Sequence, residues 1–126
     1  MVNLDTLGLG KTQIWLSHSD KKLALWLTSV AKQLSIPLGA VDVERVGTTD
    51  SEPFREKKIP AITVHSLTQS TLRILHSPED KIENMRLDDY YQTYRLLVAY
   101  LAAIDQGLNL RWRTAISRDC AGLEIP

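Results

Sequence analysis

Hydrophobic positions along the chain fall into two kinds of pattern, short strand-like runs and longer helical repeats. The branched and aromatic residues that β-strands favour cluster in four runs. These runs cover residues 2–4, 12–16, 40–43 and 59–65. The last run, Ile59-Pro60-Ala61-Ile62-Thr63-Val64-His65, has the strongest strand character and predicts the central strand of a sheet.

A helical repeat over residues 20–34 predicts the first helix. Its apolar residues recur at every third or fourth position, which places them on one face. Ser19 or Asp20 can cap the N-terminus, and the segment Ile36-Pro37-Leu38-Gly39 ends the helix. The predicted buried face consists of Leu23, Trp26, Leu27, Val30, Ala31 and Leu34.

A second repeat predicts the longest helix, from Leu87-Asp88 to about Asp105, with Gly107 as a helix stop. Its predicted buried face consists of Tyr90, Tyr94, Leu97, Val98, Leu101 and Ile104. Between the two helices, a helical turn from Glu52 or Pro53 is predicted, with Ser51 near its cap and Phe54 as its buried anchor. The alternation of strands and helices predicts an α/β domain with a short sheet of about three to four strands.

Composition limits the classes of function. A chain of 126 residues forms one domain, and its 15 basic side chains balance 15 acidic ones. No net charge directs it to nucleic acid or to an anionic membrane. No apolar run approaches the roughly 18 residues of a membrane span, and no signal-peptide pattern opens the chain. Its localisation therefore stays open, and the single Cys120 excludes an internal disulfide.

The segment Gly8-Leu9-Gly10-Lys11-Thr12 partly matches a phosphate-binding loop. The true loop needs a glycine five positions before the Gly-Lys pair, where this chain has Asp5. The carboxylate of Asp5 would repel phosphate, and a strand rather than a helix is predicted to follow the loop. A nucleotide-binding domain is therefore disfavoured.

His76 is the residue whose local sequence points most directly to chemistry. It follows the strand-like run Ile74-Leu75 and precedes Ser77-Pro78, and Pro78 disfavours helix at Ser77. The segment Pro78-Glu79-Asp80 is predicted to begin a new helical element. A histidine at such a junction can turn one ring nitrogen toward a metal or substrate.

Two aspartates have both a structural and a functional interpretation. Asp5 ends the first strand, at the sheet edge where sites of α/β proteins gather, but it can also hydrogen-bond its own turn. Asp50 can cap a turn in a polar loop, or it can orient a ligand or substrate amine. His65 and His18 are interpreted as a buried and an exposed histidine without a catalytic role.

Four segments, in order, resemble peptidase family M28, which includes zinc aminopeptidases and glutaminyl cyclases. Asn3-Leu4-Asp5-Thr6-Leu7-Gly8 resembles its Asn-x-Asp-x-x-Gly segment, and Thr49-Asp50-Ser51-Glu52-Pro53-Phe54 its Ser-Asp-His-x-x-Phe segment. Lys58-Ile59-Pro60-Ala61-Ile62 is similar to Gly-Ile-Pro-Ala, and Leu75-His76-Ser77-Pro78-Glu79-Asp80-Lys81-Ile82 to His-Thr-x-x-Asp-x-Ile. The resemblance implies a partial zinc-aminopeptidase-like fold.

The resemblance also assigns roles residue by residue. Asp5 matches the aspartate that binds one zinc, and His76 matches the last histidine, which binds the other. Asp50 matches a carboxylate near the site, on its second shell or substrate side. Ser51 stands where the family has the histidine of Ser-Asp-His, so that side chain's role is lost here.

The family's remaining ligands and its general-base glutamate precede the segment that Asn3 opens. We therefore expect residues 1–106 to be the C-terminal portion of a zinc exopeptidase domain, without a catalytic residue and inactive alone on peptides. Residues 107–126 are expected to form a poorly ordered tail. An exposed sheet edge predicts self-association or pairing with the missing N-terminal half. The alternative is a non-catalytic α/β binding or interaction module that retains part of the metal site.

Overall fold

Residues 1–42 and 49–108 are described by a computed structural model of the chain. The strands are β1 (Val2–Leu4), β2 (Gln13–Ile14), β3 (Gly39–Ala40) and β4 (Ile62–His65). The helices are α1 (Lys21–Gln33), α2 (Glu52–Glu56) and α3 (Leu87–Leu108), with 3-10 turns at Leu16–His18 and Ile82–Asn84. Residues 109–126, most of the predicted tail, lie outside the described residues. None of the described helices has the length and apolar character that crossing a membrane requires.

The four strands form one mixed sheet in the order β1-β4-β2-β3. β1 runs parallel to β4 and β3 runs parallel to β2, while β2 and β4 are antiparallel. The predicted α/β class is confirmed, and the four strands agree with the predicted sheet of about three to four strands. β4 is central, as its sequence predicts, because it hydrogen-bonds to β1 on one side and β2 on the other.

The main core lies between one face of the sheet and the helices α1 and α3. Ile14, Ile62 and Val64 point into it, because alternate residues of a strand face the same side. Helices α1 and α3 contact each other over this face. Their fully or largely buried contributions are Ala24, Leu27, Ala31, Leu96, Leu97 and Tyr100.

The first helix forms as predicted, from Lys21 to Gln33. Asp20 caps it, since its Oδ1 accepts hydrogen bonds from the backbone N–H of Lys22 (2.9 Å) and Leu23 (3.1 Å). Two backbone donors that the first turn would leave unpaired are thereby satisfied.

The predicted buried face of α3 is wrong at four positions. Tyr90, Tyr94, Val98 and Leu101 are exposed, and Thr93, Leu96 and Tyr100 are buried instead, while Leu97 is buried as predicted. The reason is that α3 is apolar on two faces, so periodicity alone cannot select the one that packs. The helix also continues through Gly107, the predicted stop, to Leu108.

Three other local predictions are wrong, one about the burial of a side chain and two about regular elements that the structure replaces with turns. Phe54 is 38% exposed and not an anchor. The run Ile74-Leu75 lies in a succession of turns held by bonds such as Ile74 N–H to Thr71 O (3.0 Å), not in a strand. No helix begins at Pro78, where Asp80 N–H closes a single turn onto Ser77 O (3.0 Å).

Candidate functional site

Asp5 lies at the carboxyl end of β1, next to the central strand. Its backbone N–H donates to Val64 O (3.0 Å), so the pairing of β1 with β4 extends to this residue. The side chain is half-buried, and its Oδ1 accepts a hydrogen bond from Thr6 Oγ1 (2.8 Å). Asp5 thus hydrogen-bonds its own turn, which agrees with a purely structural role. It also lies at the sheet edge where ligands of α/β proteins bind, which agrees with a functional role.

Thr6 fixes the loop that follows Asp5. Its φ of +47° is in the left-handed region, which costs an L-residue roughly 1–2 kcal/mol. The carbonyl of Thr6 accepts hydrogen bonds from both the backbone N–H (3.2 Å) and the hydroxyl of Ser66. Ser66 Oγ in turn accepts from Leu9 N–H (2.9 Å). The strained loop is therefore tied to the end of β4, and the orientation of Asp5 depends on that tie.

His76 is exposed and has a φ of +57°. The next residue closes the turn, because Ser77 N–H (3.1 Å) and Ser77 Oγ (2.8 Å) both donate to Ile74 O. Ser77 Oγ also accepts from Glu79 N–H (3.1 Å). These bonds hold the backbone on both sides of His76 and leave its imidazole at the surface.

Asp50 is exposed between two buried hydroxyl residues, Thr49 and Ser51. Ser51 is completely buried, and its Oγ is within hydrogen-bond distance of Thr49 Oγ1 and of Thr63 Oγ1 on β4 (2.9 Å). The side chain that replaces a family histidine is thus committed to a buried hydroxyl network and cannot reach a ligand. Asp50 itself points outward from the loop that this network anchors.

His65 is a buried structural histidine, as its sequence context indicates. It is 2% exposed, its Nδ1 accepts from Leu67 N–H (3.1 Å), and its Nε2 donates to Val41 O (3.0 Å). Both ring nitrogens are bonded to backbone groups, so neither is free to bind a metal. Burial lowers the pKa of His65, although the bond to Val41 and the charges of Asp5 and Asp42 partly oppose the shift.

A polar cluster that sequence patterns did not reveal joins the 3-10 turn Leu16–His18 to α2. Arg55 Nη1 bonds Glu52 Oε2 (2.7 Å), and His18 Nδ1 lies 3.1 Å from the same oxygen. The ring of His18, predicted to be exposed, is half-buried and packs against Trp15 at an interplanar angle of 57°, with centroids 4.6 Å apart. The only local signal is the three-residue spacing of Glu52 and Arg55, because His18 is 34 residues from Glu52.

Beside this cluster lies an open cavity of about 250 Å³. Its polar lining comes from the end of the 3-10 turn and from α2, and its apolar wall from the segment before β4. The lining residues are Ser19, Asp20, Arg55, Lys58, Ile59, Pro60 and Ala61. Asp20 already caps α1 and Arg55 already pairs with Glu52, so two of the three charged side chains that line this cavity are engaged within the fold.

The donor set can be compared with what zinc requires. A catalytic zinc takes three protein ligands and one water. Among residues 1–42 and 49–107, no group of three or more histidine, cysteine, aspartate or glutamate side chains could hold a metal ion. Asp5 and His76 therefore do not form a complete catalytic zinc centre with other described residues.

Comparison with known proteins places these features in a family. The sequence model of peptidase family M28 matches residues 1–101. The crystal structure of the LapA aminopeptidase of Legionella pneumophila is similar, with a TM-score of 0.69 at 19% identity over 79% of this chain. A second crystal structure of Legionella LapA gives a TM-score of 0.59 at 18% identity over 71%. The aligned part is 29% of the first LapA chain and 25% of the second. No curated protein sequence matches this chain.

Proposed function

This chain belongs to peptidase family M28, and we propose that it is the C-terminal portion of a zinc-dependent exopeptidase of the aminopeptidase type. In the intact enzyme the substrate is a peptide. The described part of the chain supplies metal ligands and part of the scaffold, but no general base. Alone, it does not hydrolyse peptides.

The observation that carries the proposal is the position of Asp5. A carboxylate at the carboxyl end of a strand beside the central strand lies where ligands of α/β sheets bind. The tie between Thr6 and Ser66 holds this carboxylate in a fixed, strained loop. Backbone strain of this kind persists at functional sites, because the surrounding structure must compensate for it.

In this proposal Asp5 and His76 bind different zinc ions of the intact site, and Asp50 lies on its substrate side. Zinc would act as a Lewis acid and activate water once the remaining ligands complete its coordination. The described residues do not complete it, so no catalytic step is assigned to the chain itself.

Activity on an aminoacyl-nitroanilide tests the proposal. The purified 126-residue chain with added zinc is expected to release no more nitroaniline than buffer does. Zinc-dependent hydrolysis that is lost in His76→Ala and retained in a His18→Ala control would contradict the inactivity of the chain.

Metal binding tests the two ligands separately from activity. Calorimetric titration with zinc is expected to show binding far weaker than the roughly 10 kcal/mol or more of structural zinc sites. Asp5→Asn and His76→Ala should each weaken it, whereas the exposed control Asp80→Asn should not. Equal binding by the parent chain, Asp5→Asn and His76→Ala would contradict the assignment of these ligands.

The alternative proposal is a non-catalytic α/β interaction module. The exposed apolar residues of α3 favour it, because a protein surface of this kind marks an interaction site. An interaction module would show no hydrolysis of the nitroanilide but would bind a protein partner specifically, whereas an inactive remnant of a peptidase would show neither.

A further inference from the structure

Helix α3 carries an apolar stripe on the side that faces away from the core. The members of this α3 stripe are Leu87, Tyr91, Tyr94, Val98 and Leu101. Their spacings are four, three, four and three residues. Each of them is exposed, with exposed fractions between 45% at Leu101 and 68% at Leu87.

The core does not account for the α3 stripe. The core side of the helix is formed by Thr93, Leu96, Leu97 and Tyr100, which are all buried. An alternation of three and four residues is the spacing at which one helix packs along another helix. The α3 stripe therefore has the pattern of a helix-pairing seam, but no described element covers it.

We propose that the α3 stripe is a homodimer seam in which two copies of α3 pack in antiparallel orientation. In this arrangement Leu87 packs against the partner's Val98, and Tyr91 packs against the partner's Tyr94. The two-fold axis repeats both contacts, which gives four apolar layers. Within one copy the rings of Tyr91 and Tyr94 already stack, with centroids 6.5 Å apart, and so present a preformed aromatic surface.

Charge complementarity favours a second copy as the occupant. The exposed Asp88 follows Leu87 directly, and the exposed Arg95 follows Tyr94 directly, so both flank the α3 stripe on the same side. The antiparallel alignment brings Asp88 level with the partner's Arg95, and symmetry repeats the pair. A parallel alignment would instead bring Asp88 level with a second Asp88. Within residues 1–42 and 49–108, the guanidinium of Arg95 makes one hydrogen bond, and it is long, 3.3 Å from Nη1 to Gln92 Oε1, so the guanidinium can turn.

The first test is sedimentation equilibrium of the 126-residue chain and of variants in the α3 stripe. The parent chain is expected to dimerise, and Tyr94→Glu and Val98→Glu should each weaken dimerisation at least about a hundred-fold, because each buries two unpaired charges. Ile82→Glu is the matched control, since Ile82 is 75% exposed and lies outside the stripe. It should leave the dimer unchanged, and circular dichroism should report the same helix content in all variants.

The second test concerns orientation. Asp88→Arg or Arg95→Asp alone places like charges opposite each other and should weaken the dimer roughly ten-fold. The double variant Asp88→Arg with Arg95→Asp reverses both charges and should restore the affinity of the parent.

Three outcomes would overturn the proposal. If the parent chain stays monomeric, the α3 stripe is not a homodimer seam and binds something else, such as the remainder of an M28 domain. A dimer that persists in both Tyr94→Glu and Val98→Glu uses another surface. Failure of the double charge reversal to restore binding excludes the antiparallel seam. None of these outcomes depends on metal binding or hydrolysis, so the proposed peptidase origin can fail or stand independently.

Discussion

At the scale of single residues, hydrogen bonds satisfy three buried polar side chains, those of His65, Ser51 and Tyr100. His65 bonds backbone on both of its ring nitrogens, and Ser51 links the loop before α2 to β4 through Thr63. Tyr100 is completely buried, and its hydroxyl donates to Leu23 O on α1 (3.0 Å). Burial, with a smaller contribution from Asp20, raises the pKa of Tyr100, so the phenol stays a donor at neutral pH.

The lowered pKa of His65 predicts a pH dependence of stability. The unfolded chain binds a proton near the ordinary histidine pKa of about 6.5, whereas the folded chain resists it to a lower pH. The contribution is therefore fully present above that value and is lost as pH falls through the window below it. Urea unfolding at a series of pH values should show a free energy of unfolding that declines as pH falls below about 6.5.

A matched variant isolates His65 from other groups. His65→Gln retains a donor toward Val41 O but does not titrate, so the decline below pH about 6.5 should be smaller than in the parent chain. An equal decline in both proteins would show that His65 is not its source.

The hydroxyl of Tyr100 is expected to stabilise the contact between α1 and α3. Tyr100→Phe removes one buried hydrogen bond and should lower the free energy of unfolding by about 1 kcal/mol. Tyr90→Phe is the control, because Tyr90 is 43% exposed and lies outside the α3 stripe, and it should change stability little. Chemical denaturation of both variants compares the two sites directly, and an equal effect at both would contradict the role of the buried bond.

At the scale of elements, the start of α1 and the central position of β4 follow from local chemistry, whereas the buried face of α3 does not. The cap at Asp20 and the central position of β4 were predictable, because capping residues and continuous apolar runs are local signals. The buried face of α3 was not, because both of its faces are apolar. The turns before His76 were not either, because i-to-i+3 hydrogen bonds within residues 68–77 displaced the strand that Ile74-Leu75 indicated.

The cap of α1 gives a prediction at this scale. Asp20→Ala leaves the N–H groups of Lys22 and Leu23 without their acceptor and should cost about 1 kcal/mol of stability. Asp20→Asn retains a capping oxygen and should recover most of the loss. Thermal unfolding of the three proteins measures the effect, and equal stability of Asp20→Ala and the parent would argue against the cap.

At the scale of the whole molecule, both faces of the central strand β4 are buried, whereas the outer face of α3 is open. β1 is an edge strand of the described sheet, and Leu4 at its end is 47% exposed. The chain corresponds to 29% of the LapA aminopeptidase chain that it resembles. Apolar surface at the end of β1 and on the outer face of α3 is thus exposed in a chain much shorter than the LapA aminopeptidase.

Self-association through the α3 stripe predicts a concentration-dependent thermal midpoint. Mass action stabilises a folded dimer as the protein concentration rises, so the midpoint of the parent chain should increase by several degrees over a hundred-fold range of concentration. Tyr94→Glu should show a midpoint that does not depend on concentration. A midpoint of the parent chain that stays constant would count against the dimer.

The sequence by itself determined the α/β class, the capped first helix, the central strand, the position of Asp5 and the resemblance to family M28. Each rests on residues that are neighbours in the chain, where periodicity, capping and motif order act. Only the tertiary structure decided which face of α3 is buried, which partners hold His65, and how His18 meets Glu52 and Arg55. These outcomes depend on contacts between residues tens of positions apart, and the local pattern of hydrophobic and polar residues does not specify which distant surfaces meet.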